Sequence, residues 1–132
     1  MVIDTSALIA ILRREQEADS FIAAIQQAPV RLLSAVTKLE AYMVAAGSRE
    51  RGGNDLDDLL QELNVEVVAF SVDHANVASA AFLRFGKGRQ RAGLNFGDCA
   101  AYALAVLEAE PLLFKGADFT KTDVEAVFPA HD

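Results

Sequence analysis

Short apolar runs alternate with longer segments of helical periodicity along the whole chain. The runs at 2–3, 31–33, 65–70, 112–114 and 124–128 are short and dominated by Val, Leu, Ile and Phe, which predicts five strands. The clearest helical segment is 55–63, where Leu56, Leu59, Leu60 and Leu63 recur at i, i+3, i+4 and i+7 while Asp55, Asp57, Asp58 and Glu62 take the other face. That spacing predicts a helix on the outside of a sheet with its leucines turned inward. A helix opened by Asp19 or Ser20 carries Phe21, Ile22 and Ile25 and stops before Pro29, because proline disfavours helix in the residue before it. Further helical runs cover 7–12, 35–47 and 98–107. Strands separated by helices predict an α/β fold, a five-stranded parallel sheet with helices on both faces. In such sheets ligands collect outside the carboxyl ends of the strands, at the switch point of the strand order.

Composition narrows the class. A chain of 132 residues with 52% apolar side chains matches one ordinary domain, taken as 1–132, that buries roughly two thirds of its unfolded surface. Cys99 is the only cysteine, so neither an internal disulfide nor a cysteine zinc cage is available. A net charge of −7 and a pI near 4.7 argue against coating nucleic acid by bulk charge, although local basic patches remain open. No apolar stretch approaches the roughly 18 residues of a membrane helix. Asp4 interrupts the apolar start, and Arg13-Arg14 follow the run at 7–12 instead of preceding it, which excludes a signal peptide and places the chain in the cytoplasm.

Four acids stand in costly places. Asp4 ends the first strand before a helical run, with capping of that helix as the local alternative. Glu40 shares a helix stripe with Val36, Met43, Val44 and Gly47, where a carboxylate needs a positive partner such as Lys38 or an arginine elsewhere. Asp98 opens a helix whose next nine residues, 99–107, carry no charge; the helix dipole favours an acid there, with Asn95 as the expected N-cap. Asp118 follows the strand at 112–114 through Lys115-Gly116-Ala117, where a turn aspartate is the ordinary reading. If the first and fourth strands are neighbours, Asp4, Asp98 and Asp118 converge and the Glu40 helix closes the wall. Two carboxylates about 5 Å apart repel by roughly 3 kcal/mol at an effective dielectric near 20, so the cluster needs compensation. A hard divalent cation, Mg²⁺ or Mn²⁺, suits an oxygen-only ligand set and activates water for attack on a phosphodiester.

Val-Ile-Asp-Thr-Ser-Ala-Leu at 2–8, Glu40 in mid-helix, Leu-Asn-Phe-Gly-Asp-Cys at 94–99 and Leu-Leu-Phe-Lys-Gly-Ala-Asp-Phe at 112–119 together resemble the VapC-type PIN-domain ribonucleases, with similarity reaching Thr122-Asp123. The resemblance implies a three-layer PIN-like domain with strand order 3-2-1-4-5. It also implies an Mg²⁺- or Mn²⁺-dependent endoribonuclease leaving 5′-phosphate and 3′-hydroxyl ends, the toxin of a toxin–antitoxin pair, homodimeric and restrained by a VapB-type antitoxin. Asp4, Glu40, Asp98 and Asp118 match the four acidic site positions: Asp4 and Asp98 as metal ligands, Glu40 and Asp118 as ligands acting through water or at a second metal. Ser6 and Asn95, by their spacing, are the groups that orient Asp4 and Asp98. Ala117 departs from the family, in which many members have a polar residue between the glycine and the aspartate.

Between Asp73 and Asp98 the chain has Arg84, Lys87, Arg89 and Arg91 and no acid. This segment, with glycines at 86, 88 and 93, is the candidate RNA-binding arm, Lys87, Arg89 and Arg91 being its phosphate contacts; an ordinary solvated loop is the alternative. His74 and His131 read as surface or capping residues, and Tyr42, Tyr102 and the phenylalanines as core. The 99–107 helix reads as core first, or as part of a dimer seam. The competing function is a non-catalytic RNA- or antitoxin-binding module. A phosphoryl-accepting receiver lacks its aspartate at the end of the third strand, and a haloacid-dehalogenase-type phosphatase lacks a second aspartate at position 6.

Overall fold

Four short strands, β1 (Val2–Ile3), β2 (Leu32–Ser34), β3 (Glu66–Val68) and β4 (Leu112–Leu113), form one parallel sheet in the order β3-β2-β1-β4. The computed structural model describes residues 1–47, 53–86, 88 and 93–129, with 53 and 54 given by backbone alone. Six helices accompany the sheet among these residues: α1 (Thr5–Leu12), α2 (Ala18–Gln27), α3 (Ala35–Ala46), α4 (Gly53–Glu62), α5 (Val72–Phe85) and α6 (Phe96–Glu108). The chain steps outward from β1 to β2 to β3 and then returns to the opposite side of β1 with β4. The switch point therefore lies between β1 and β4, where Val2 pairs with Leu112 and Ile3 with Leu113.

The expected five-stranded sheet of order 3-2-1-4-5 is corrected: the described residues contain four strands. The segment at 124–128 makes a single parallel bridge, Ala126 opposite Leu112, held by Leu112 N–H to Glu125 O (2.8 Å) and Val127 N–H to Leu112 O (3.0 Å). The pairing cannot lengthen because β4 is only two residues long and the chain then turns away through Gly116, whose φ of +97° lies in the region glycine alone enters freely.

Side chains of successive strand residues point to opposite faces, so even a two-residue strand serves both layers. Ile3, Leu33 and Leu113 pack with Leu8, Ile25, Leu56 and Leu60 beneath α1, α2 and α4. Val2, Leu32 and Leu112 pack on the other face with Ala81 of α5 and Tyr102, Leu104 and Ala105 of α6. Helices thus cover both faces in three layers. α1 is apolar on nearly every side because it is buried on nearly every side.

Three further expectations change. On α3 the buried residues are Thr37, Ala41 and Ala45, whereas Met43 is 65% exposed and Val44 and Gly47 are exposed too, so the stripe containing Glu40 borders solvent instead of forming the core. His74 is buried against the ring of Phe70, its N–H held by the Ser71 cap, and is not a surface residue; His131 lies outside the described residues. Tyr102 is core, but Tyr42, Phe82, Phe96 and Phe128 are exposed. α5 has no counterpart among the elements expected from the pattern.

Candidate active site

Asp4 leaves β1 at the carboxyl edge of the sheet, where its N–H donates to Leu113 O (2.9 Å) and ties it to β4. Its carboxylate caps α1: Oδ2 accepts from Ser6 N–H (3.0 Å) and from Ser6 Oγ (2.6 Å). Ser6 Oγ in turn accepts from Lys115 N–H (2.9 Å), so one hydroxyl fastens Asp4 to the loop that follows β4. Capping of α1 and a tie to the loop after β4 thus meet at the same aspartate.

Asn95 caps α6 as its sequence position predicts. Asp98 N–H donates to Asn95 Oδ1 (2.9 Å), and Asn95 N–H donates back to Asp98 Oδ2 (3.1 Å). This reciprocal pair fixes the Asp98 carboxylate at the first turn of a helix that is buried from Gly97 to Ala105. Glu40, half-buried on α3, accepts a hydrogen bond from Thr5 Oγ1, a short contact joining α3 to the start of α1. Asp118 is exposed beyond the Gly116 turn.

Electrostatics places the four acids in one field. Burial pushes the Asp98 carboxyl up to about 7 against the opposing Asn95 N–H, and the charges of Asp4, Asp118 and Glu40 all push it further in the same direction. Burial likewise raises Asp4 to about 6, opposed by its Ser6 hydrogen bonds and reinforced by Glu40. None of the ion pairs among the described residues involves Asp4, Glu40, Asp98 or Asp118; Lys38 pairs with Asp57 (3.8 Å), and Lys115 with Glu17 (2.9 Å) and Glu15 (3.1 Å). Asp4 and Asp98 are thus buried acids whose charge no basic side chain in a described ion pair offsets.

The donor set bears on which cation fits. No three His, Cys, Asp or Glu side chains among the described residues form a group that could chelate a metal ion. The carboxylate oxygens of Asp4 and Asp98 suit a hard divalent cation, which takes one or two carboxylates and keeps most of its shell as water.

The chain matches the PIN domain family over residues 1–125. It is 48% identical over 128 residues to Ribonuclease VapC30 of Mycobacterium tuberculosis, covering 96% of this chain and 98% of that one. The chain belongs to the PIN-domain VapC ribonuclease family. A Ribonuclease VapC of Mycolicibacterium smegmatis is 49% identical over 128 residues, covering 96% of this chain and 99% of the relative. The fold agrees with the solved structure of VapC20 of Mycobacterium tuberculosis, a sarcin-ricin-loop-cleaving toxin, at a TM-score of 0.74 and 16% identity, over 97% of this chain and 98% of that one. It also agrees with a toxin–antitoxin complex from Klebsiella pneumoniae, at a TM-score of 0.69 and 20% identity, over 92% of each chain.

Thr5 Oγ1 donates to Glu40, Lys115 N–H donates to Ser6 Oγ and Gly97 leaves room for the Glu40 carboxylate, contacts that no local sequence pattern assigns. The hydroxyl between Asp4 and Ser6, and a glycine inside the first turn of a helix, were the available signals. Lys87, Arg89 and Arg91 lie outside the described residues. Arg84, at the end of α5, pairs with Asp123 (3.3 Å) and stacks over Phe85.

Proposed function

We propose that this chain is a divalent-metal-dependent endoribonuclease, the toxin of a VapBC-type pair, acting in the cytoplasm as one PIN-like unit spanning 1–132. The observation that carries the reading is the Asp4–Asp98 pair: both carboxyls are buried and raised, to about 6 and about 7, and no ion pair among the described residues involves either. The names of the VapC relatives support RNA as substrate. The Klebsiella complex supports a small antitoxin as partner.

In this reading Asp4 and Asp98 hold Mg²⁺ or Mn²⁺, with Ser6 and Asn95 fixing the direction of each carboxylate. When bound, the cation makes a coordinated water acidic and offsets charge on the phosphate. Glu40, anchored by Thr5, and Asp118, at the exposed mouth, orient the attacking water and accept its proton. Lys87, Arg89 and Arg91 track the RNA backbone. The chain pairs with a second copy through the apolar groove of about 560 Å³ lined by Phe70, Leu83, Phe96 and Ala100, a face with Phe96 81% exposed.

Purified protein free of antitoxin should cleave RNA in Mg²⁺ or Mn²⁺ and stop on addition of EDTA. Asp98→Asn should fold and lose at least about 100-fold in rate, the several kcal/mol that metal-assisted charge stabilisation provides. Cleavage that persists in EDTA, or in Asp98→Asn, would refute the assignment. Tight antitoxin binding without turnover in any divalent ion would favour a non-catalytic module.

A further inference from the structure

Gly97 is the second residue of α6, inside the reciprocal cap made by Asn95 and Asp98. Its backbone does not enter the left-handed region, in contrast to Gly88, Gly93 and Gly116, so no turn geometry demands glycine there. Helix propensity opposes it, since glycine is the poorest helix former after proline. Space explains the choice. A Cβ at position 97 would run into Glu40, meeting both of its carboxylate oxygens and the carbon between them, so the carboxylate rests directly on the bare Cα.

On its other side the same carboxylate is held by Thr5. Thr5 Oγ1 donates to Glu40 Oε1, and Thr5 is itself buried at the first position of α1. The two contacts come from the start of α1, which Asp4 caps, and from α6, which carries Asp98, and the charge of Glu40 is felt at both acids. A glutamate on a solvent-bordering face would otherwise sample several rotamers, at a cost in order when it must act in one of them.

We propose that Thr5 and Gly97 are positioning residues that seat the Glu40 carboxylate, Thr5 gripping one oxygen while the missing side chain of Gly97 lets the group lie on the first turn of α6. The partial positive charge of that helix end favours the carboxylate there. The inference rests on the metal-dependent ribonuclease reading, in which Glu40 handles the attacking water.

The test compares Gly97→Ala, Thr5→Val and Thr5→Ser, each alone and in a Glu40→Gln background. Two properties are read: the ¹³C carboxyl resonance of Glu40 in metal-free protein, and kcat and KM for Mn²⁺-dependent RNA cleavage. Gly97→Ala and Thr5→Val should move the Glu40 resonance and lower kcat by about 10- to 100-fold with KM little changed, as for a misplaced reacting group. Thr5→Ser, which keeps the hydroxyl, should retain both properties. In the Glu40→Gln background neither substitution should lower kcat further, because residues acting through one another are not additive. An unmoved resonance with wild-type kcat, or an equal loss in the Glu40→Gln background, would overturn the seat. The Thr5 pair decides the matter should Gly97→Ala fail to fold. Wild-type protein without metal-dependent cleavage would overturn the ribonuclease reading, while the Glu40 resonance would still judge the seat.

Discussion

Asp98 shows how one residue carries both structure and chemistry. As the third residue of α6 it closes the cap with Asn95, and as a buried acid it feels Asp4, Asp118 and Glu40. Burial raises the Asp98 carboxyl from 3.8 to about 7 and the Asp4 carboxyl to about 6, so the folded protein keeps protons that the unfolded chain has already released between those values. Stability contributed by these groups is complete below about pH 4 and is lost as pH rises through about 7. Metal-free protein should melt at a higher temperature near pH 5 than near pH 8, by several degrees, and saturating Mn²⁺ should remove much of that difference. Melting curves across this range check it; a metal-free protein that is more stable near pH 8 would contradict it. Asp4, Glu40, Asp98 and Asp118 stand out in the sequence as acids in apolar or strand-end contexts, and the structure singles out Asp4 and Asp98 by burial and by the charges they feel. What held them was less legible. The role of Thr5 shows only once α3 is folded against α1, and that of Gly97 only once Glu40 rests on it.

At the scale of elements, local signals were read well where the chain itself sets the boundary. Asn95 starts α6, Pro29 lies just beyond the end of α2, and the leucine period of α4 turns Leu56 and Leu60 into the core, with Leu63 buried just past its end. The pattern is ambiguous where tertiary packing decides. The apolar residues of α3 divide differently from their spacing, because the small Ala41 and Ala45 let neighbouring helices approach while Met43 stays outside. α5 gives no clear stripe because Val, Ala and Phe are spread over most of its circumference; its Ser71 cap, which accepts from His74 N–H at 3.4 Å, is the local signal for its start. The expected fifth strand shrinks to one bridge because its partner ends after Leu113. α6 itself ends on Ala109, a non-glycine residue in the left-handed region with φ of 52°. Ala109→Gly should therefore stabilise the fold by about 0.5–1 kcal/mol, the strain of a Cβ at that position less the added freedom of the unfolded chain. Urea denaturation reads this directly, and a loss of stability would show that the αL cap is not strained.

For the molecule as a whole, the problem is how a chain of net charge −7 holds a polyanion. The acids of the proposed site would repel RNA unless a cation intervened, and Lys87, Arg89 and Arg91 are the proposed source of attraction. Arg89→Ala with Arg91→Ala should raise the dissociation constant for RNA and reduce the magnitude of the log–log salt slope by about 1.4, roughly 0.7 per phosphate contact on a single strand. Binding isotherms at several salt concentrations test this, and an unchanged slope would exclude the segment from the interface. The sheet order supplies the other half. Because β1 and β4 are neighbours at the switch point, residues more than a hundred positions apart reach one edge, and no single segment could have shown that they meet.

If Asp98 holds a divalent cation, proton and metal compete for its carboxyl. Calorimetric titration of Mn²⁺ into metal-free protein near pH 7, repeated in two buffers of different ionisation enthalpy, measures that competition directly. The wild type should bind the ion and release a fraction of a proton as it does so, because a carboxyl near 7 must lose its proton to become a ligand, and Asp98→Asn should lose both the affinity and the release. A wild type that takes up no Mn²⁺, or an Asp98→Asn variant that binds it equally well, would contradict a cation held among these acids.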